Sequence, residues 1–271
     1  MKTKQKIFIA KIISRLVIFF LGKFKVRVKR NDINWELDLR EGIDLTIFIF
    51  NNFEKDILKI SKKLIKNSQI DIIDIGCNMG VHSLNFARSY KNSKIFSIEA
   101  TNFAYNKLLK NLNLNPKINN VDPYQLFLTN KSSKQRHVYS SWNLDNNKKL
   151  QHNKHLGILK STSNAKTLSL DNFTKKMKIQ RKTLIKLDVD GNELFIFKSA
   201  KNYIKKYKPY IIMELAPYLY KEYGYSSADL LNFILSYNYK FYHAETFEEI
   251  NDIYNIVEDM NDGTSINIFL K

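Results

Sequence analysis

Asp74, Gly76, Asn78 and Gly80 alternate at the end of an apolar run that begins at Ile70. That spacing reads as a buried strand, a turn and the start of a helix. The branched residues before Asp74 suit the strand. Gly76 and Gly80 let the backbone take dihedrals closed to other residues and approach a ligand closely. The helix beyond points its free amides at the same place. Cys77 lies inside the turn and His82 just after it. A neutral His82 imidazole can hydrogen-bond an amino-acid group there; the plainer alternative is a histidine on the helix surface. Nineteen residues past Gly80, a second apolar strand, Lys94 to Ile98, ends in Glu99 and Ala100. In a doubly wound sheet it lies beside the first, so Glu99 can accept hydrogen bonds from both hydroxyls of a ribose. The ligand is thus of adenosine type. A pyrophosphate favours G-x-G-x-x-G and would be repelled by an acid inside the turn. The sequence therefore points to S-adenosylmethionine, with Asp74 to Gly80 at its methionine end.

Asp188 ends another apolar strand, Leu184 to Leu187, at the sheet edge where ligands bind. Methyl transfer to a hydroxyl needs a more nucleophilic oxygen, and a positioned carboxylate can take its proton. Asp188 is the first candidate for that role. Glu193 follows in the next turn and helix, and Glu214 ends the strand Tyr210 to Met213. Three acids on one rim can instead hold a divalent cation that orients a sugar diol. Glu193 can equally cap the helix that starts near Gly191 or pair with a lysine. Of the other histidines, His243 reads as structural, whereas His152 and His155 lie in a polar stretch from which they can reach an acceptor.

Around Asp188 the chain reads Ile185-Lys186-Leu187-Asp188-Val189-Asp190-Gly191-Asn192-Glu193. At this block it resembles the FkbM family of S-adenosylmethionine-dependent methyltransferases, whose hallmark is roughly I-K-[IL]-D-[VI]-[DE]-G-x-E. Other pieces fall in the family's order: Trp35 to Asp44 with Phe53-Glu54, the turn at Asp74, Thr167 to Asp171, and Pro209 to Leu215. The resemblance covers roughly residues 31 to 220. It implies a class I, Rossmann-like methyltransferase fold, α/β with a mostly parallel seven-stranded sheet and helices on both faces. It also implies O-methylation of a sugar hydroxyl or a hydroxylated natural product. The front segment Trp35 to Asp44 looks like that of members associated with surface-polysaccharide synthesis, which selects a carbohydrate or glycoconjugate acceptor. Asp122-Pro123-Tyr124 is similar to part of the acid-Pro-Pro-aromatic motif of amino-directed methyltransferases. It lacks one proline and precedes the fourth strand, so it is read as a turn.

Alternating strands and helices, such as Asn102 to Leu114 after Glu99, argue independently for a parallel sheet. A helix near Ser226 to Ser236 and strands near Tyr239 to His243 and Ser265 to Leu270 fit an antiparallel closing pair. The 271 residues, 44% of them apolar, allow a basic N-terminal segment (1–30) and one methyltransferase domain (31–271). The polar stretch 122–166 reads as a lid or insertion, with Tyr139, Trp142 and His155 placed to meet a sugar. Cys77 is the sole cysteine, which excludes a disulfide framework or cysteine-based zinc site and implies a reducing, cytoplasmic compartment.

Net charge is +18. Residues 1–30 hold ten Lys/Arg and no acid, whereas residues 209–271 hold three basic and ten acidic residues. High Lys, Ile and Asn usage raises the isoelectric point throughout, so charge alone does not imply nucleic acid. An RNA methyltransferase and a catalytically dead cofactor-binding module remain the alternatives. In residues 1–22, helical spacing puts Lys4, Lys11 and Arg15 on one narrow stripe among apolar residues. Such a helix suits an anionic membrane face, or else packs on the domain or on a second subunit.

Overall fold

Branched apolar runs fold into one sheet that carries the cofactor turn at its centre. The computed structural model describes residues 3–66, 69–130, 137–140, 144 and 157–271. Helix α1 (Thr3–Leu21) leads into a hairpin of β1 (Lys25–Arg30) and β2 (Ile33–Asp38). Its two turn residues, Asn31 and Asp32, both take positive φ, 48° and 56°, the conformation that matches strand twist in a two-residue hairpin. Helices α2 (Gly42–Phe50) and α3 (Lys55–Ile65) follow. Then come β3 (Ile72–Ile75), α4 (Val81–Ser89), β4 (Ile95–Glu99), α5 (Asn102–Asn113) and β5 (Val121–Leu128). A small antiparallel pair, β6 (His137–Ser140) and β7 (Ile158–Ser161), precedes β8 (Lys166–Leu168), α6 (Leu170–Lys176), β9 (Leu184–Leu187), α7 (Glu193–Ser199), α8 (Lys201–Tyr207) and β10 (Tyr210–Leu215). The chain closes with α9 (Pro217–Tyr220), α10 (Ser227–Leu235), β11 (Phe241–His243), β12 (Glu249–Ile250), α11 (Ile253–Glu258) and β13 (Ile266–Leu270).

The main sheet runs β12-β11-β13-β10-β9-β3-β4-β5-β8. From β10 to β8 it is parallel, and β13, β11 and β12 are antiparallel. The expected closing pair is β11 and β13. Nine strands stand where seven were expected. The two additions, β8 and β12, are edge strands of three and two residues, too short to leave a periodic signal. A second difference is Asp122-Pro123-Tyr124, which lies inside β5 rather than in a turn. At that level only β4 flanks β5, because β8 pairs from Leu126 onward, and a strand edge is where proline is tolerated.

Strand residues alternate between the two faces. Ile73, Ile75, Phe96, Ile98, Ile185 and Leu187 pack under α6 to α10. Ile72, Phe86, Ile95, Leu184 and Ile212 form the opposite core with α3 and α4. A third cluster joins α1, the β1–β2 hairpin, α2 and α4. The boundary expected at residue 30 therefore falls within a paired hairpin, and the polar stretch expected from 122 starts after β5. Trp142, His152 and His155 lie outside the described residues.

The front segment that carried the resemblance is a clamp. Asp44, buried at the start of α2, accepts the Asp38 backbone N–H at 2.6 Å and both Lys107 contacts at 2.6 and 2.7 Å, tying the segment to α5. Burial pushes the Asp44 carboxyl above the usual range despite Lys107. Removing one partner of such a pair leaves an uncompensated charge, so Lys107→Ala should cost about 3 kcal/mol, measured as a shift in the urea midpoint. Asp44→Asn in that background should recover part of it. A loss below about 1 kcal/mol, the size of an exposed pair, would show that the clamp is not electrostatic.

Candidate active site

The turn after β3 is set by contact with the neighbouring strand. Gly76 has φ 75°, and a Cβ there would sit 1.8 Å from the Asp188 carbonyl oxygen, so only glycine lets the turn lie against the end of β9. Gly76 and Cys77 N–H both donate to Ile98 O, and Asp188 N–H donates to Ile75 O. The ends of β3, β4 and β9 are thereby locked at one edge. Asn78 takes a left-handed φ of 49°, and its N–H donates to Glu99 Oε2 at 3.0 Å.

A cleft opens at this edge. Gly76, Cys77, Asn78, His82, Glu99, Ala100 and Asp188 line it, all of them expected from the sequence. Glu99 is buried, and its Oε1 accepts both the N–H and the hydroxyl of Thr101 at 2.7 Å. Burial raises its pKa, while these bonds and the Asn78 N–H work to lower it. His82 is not on a helix surface. It is buried between Phe53 and Phe86, with Nε2 3.1 Å from Glu54 Oε2. Burial pushes the Cys77 thiol up well above its ordinary value, which disfavours the thiolate that a nucleophile needs.

Four expected residues do not line the cleft. Asp74 lies beneath the turn at zero exposure: its Oδ2 accepts the Ser83 hydroxyl at 2.6 Å, and Oδ1 is 3.9 Å from Lys186 Nζ. Gly80 sets the start of α4 with φ 91°. Glu193 points into the core, where Oε1 accepts the Gly191 N–H at 3.3 Å and Oε2 is 3.3 Å from the Tyr225 hydroxyl. Glu214, half-buried beside Asp188, accepts the Ser265 hydroxyl.

Two further residues of the hallmark, Lys186 and Asp190, belong to the site. Lys186 is buried, donating to Asp188 Oδ2 at 3.0 Å and toward Gly76 O at 3.5 Å. Burial opposes its charge, but Asp188 and Asp74 outweigh that and hold the ammonium well above the lysine range. Asp190, with φ 49°, lines the cleft. The signal was available for Lys186, which stands two residues before Asp188 on the same side of the extended chain; Asp190 lies in the turn beyond, where that alternation does not carry.

Oxygen atoms of Asp188, Asp190 and Glu214 lie within 4.8 Å of one another. The third acid of the rim is thus Asp190, not Glu193. Burial works against charge on Asp188, yet Lys186 keeps its carboxyl below the usual range. Asp190 and Glu214 are pushed well up, first by burial and then by the charge on Asp188. Such a cluster can share a proton or hold a divalent cation; Lys186 already supplies a counter-charge, which favours the proton.

The cleft at the carboxyl ends of a parallel sheet, with a glycine turn and a ribose-height acid, is that of a class I S-adenosylmethionine-dependent methyltransferase. The chain belongs to the methyltransferase FkbM domain family, whose profile matches residues 74–241. It is an enzyme with S-adenosylmethionine as its cofactor, and its residues fit that group: Glu99 can take the ribose hydroxyls, Ile98, Leu126 and Leu128 can flank the purine, and the Gly76 turn can receive the amino-acid end. No curated protein matches the chain. Among solved structures it is similar to TYW2 from M. jannaschii in complex with AdoMet (13% identity, 92% of this chain, 84% of that one, TM-score 0.40). It is also similar to the METTL16 methyltransferase domain (11%, 88% and 72%, TM-score 0.46) and to precorrin-6y C5,15-methyltransferase from Geobacter metallireducens (13%, 81% and 91%, TM-score 0.39).

Glu193 supplies a test of this geometry. The Tyr225 hydroxyl is spent on Gly191 O at 2.8 Å, so its contact with Glu193 is satisfied when the carboxyl carries the proton. Burial raises the Glu193 pKa from 4.5 to about 7. The folded state then binds more protons between those values, so this stability is fully present below pH 4.5 and lost as pH rises through about 7. Going from pH 8 to pH 5, the wild type should gain about 2.5 kcal/mol more than Glu193→Gln, measured by denaturant unfolding. Parallel profiles would contradict the assignment.

Proposed function

We propose that this enzyme transfers a methyl group to a sugar hydroxyl of a glycan or glycoconjugate in surface-polysaccharide synthesis, in the cytoplasm. The observation that carries this reading is a second pocket continuous with the cofactor cleft. The two share Phe127, Val138, Tyr139 and Asn192, and the second adds His137, Phe195 and Tyr223. Aromatic faces beside hydrogen-bonding groups suit a ring that is apolar on one side and hydroxylated at its edge. Bound S-adenosylmethionine supplies an electrophilic methyl carbon on a sulfonium.

The acids divide the remaining work. Asp188, kept ionised by Lys186, accepts a hydrogen bond from the acceptor hydroxyl and orients it. A carboxylate held low is a weak base. Asp190 faces the same cleft, and in its ionised form it has the higher affinity for protons, so from that form it is the better placed of the two to take the hydroxyl proton as the oxygen attacks. The front segment's likeness to polysaccharide-associated members supports a glycan over RNA, and the single buried cysteine fits a reducing compartment.

Radiolabelled methyl transfer from S-adenosylmethionine to a panel of glycans, lipid-linked saccharides and RNA tests the reading. A glycan should be labelled. Asp188→Asn and Asp190→Asn should each lower turnover by about 10²-fold or more while S-adenosylhomocysteine still binds. Labelling of RNA alone, or equal turnover in both variants, would overturn it.

A further inference from the structure

We propose that the outer face of α1 lies on an anionic lipid bilayer surface. The helix is apolar on two opposite faces. On the inner one, Ile7 is buried, Ala10, Ile13, Val17 and Ile18 pack on the core, and the buried Ser14 hydroxyl donates to Leu39 O at 2.7 Å. That face fixes the helix to the domain. On the outer one, Phe8, Ile12, Leu16, Phe19 and Phe20 are exposed, the last two at 80%. At 100° per residue these five form one stripe, with Arg15 along one border. Phe24 and the exposed Lys23 and Lys25 continue it past the helix end.

Charge selects the occupant. With no acid among residues 1–30, two copies meeting on this face would bring two basic sets together. An anionic surface neutralises them instead, and acyl chains ask for no hydrogen bonds from an outer face made of Phe, Ile and Leu. Among the described residues no helix is long and apolar enough to cross a membrane, so the contact is in the plane of the interface. The proposal does not depend on the acceptor.

Sedimentation of the full chain with phosphatidylglycerol/phosphatidylethanolamine vesicles, and separately with phosphatidylcholine vesicles, tests it. The protein should partition onto the anionic vesicles and release as salt rises. Arg15→Glu with Lys23→Glu should weaken binding by roughly tenfold or more. Phe19→Ser with Phe20→Ser should abolish it, with melting temperature and S-adenosylhomocysteine binding unchanged. No binding to the anionic vesicles, equal binding to both kinds, or binding that survives the Phe19 and Phe20 changes would overturn the proposal. So would a concentration-dependent dimer that those changes dissolve.

Discussion

A buried polar row across three strands holds the site together. Ser97, Asp74 and Lys186 are lateral neighbours on β4, β3 and β9, in the middle of an otherwise apolar layer. The Ser97 hydroxyl donates to Ser83 Oγ at 2.7 Å, and Ser83 donates to Asp74. Burying an acid and an ammonium side by side is costly unless each offsets the other. Here the ammonium meets two carboxylates and the Gly76 carbonyl, so it fixes the cofactor turn and Asp188 with one group. The turn can approach β9 because Gly76 has no side chain.

The divergence of the acids follows from that cation. Asp188 bonds Lys186 and stays ionised; its neighbours Asp190 and Glu214, without so direct a partner, are pushed toward the neutral form by burial and by the charge of Asp188. Three like residues thus acquire different proton affinities from placement alone, the condition under which one can orient and another accept a proton. Glu193 shares the rise through burial but serves the core, where, when protonated, it completes a chain to Tyr225 and Gly191.

Most of the site was legible because it lies in short, contiguous blocks at strand ends. Asp74 to Gly80 and Glu99 announced a turn and an acid beside it, and Gly76, Cys77, Asn78, His82, Glu99 and Ala100 do face one cleft. What the sequence did not disclose was depth along the sheet. Asp74 and Glu193 look like rim residues by position, but Asp74 is the last residue of its strand but one and wholly buried, and Glu193 starts a helix whose first turn faces the core. Lys186 shows its spacing to Asp188, but a lysine in an apolar strand carries no sign of its partner on β3. The two apolar faces of α1 were visible as an apolar helix with one basic stripe; only packing divides them into an inner and an outer one.

The account rests on the cleft being an adenosine site read by Glu99. Calorimetric titration with S-adenosylmethionine, S-adenosylhomocysteine and NAD measures this directly, on the wild type and on Glu99→Ala matched for melting temperature. The first two should bind and NAD should not, and Glu99→Ala should weaken binding by about tenfold or more, the loss of a charge-assisted hydrogen bond. Binding of NAD in their place, or a Glu99→Ala protein that binds S-adenosylmethionine as tightly as the wild type, would contradict it.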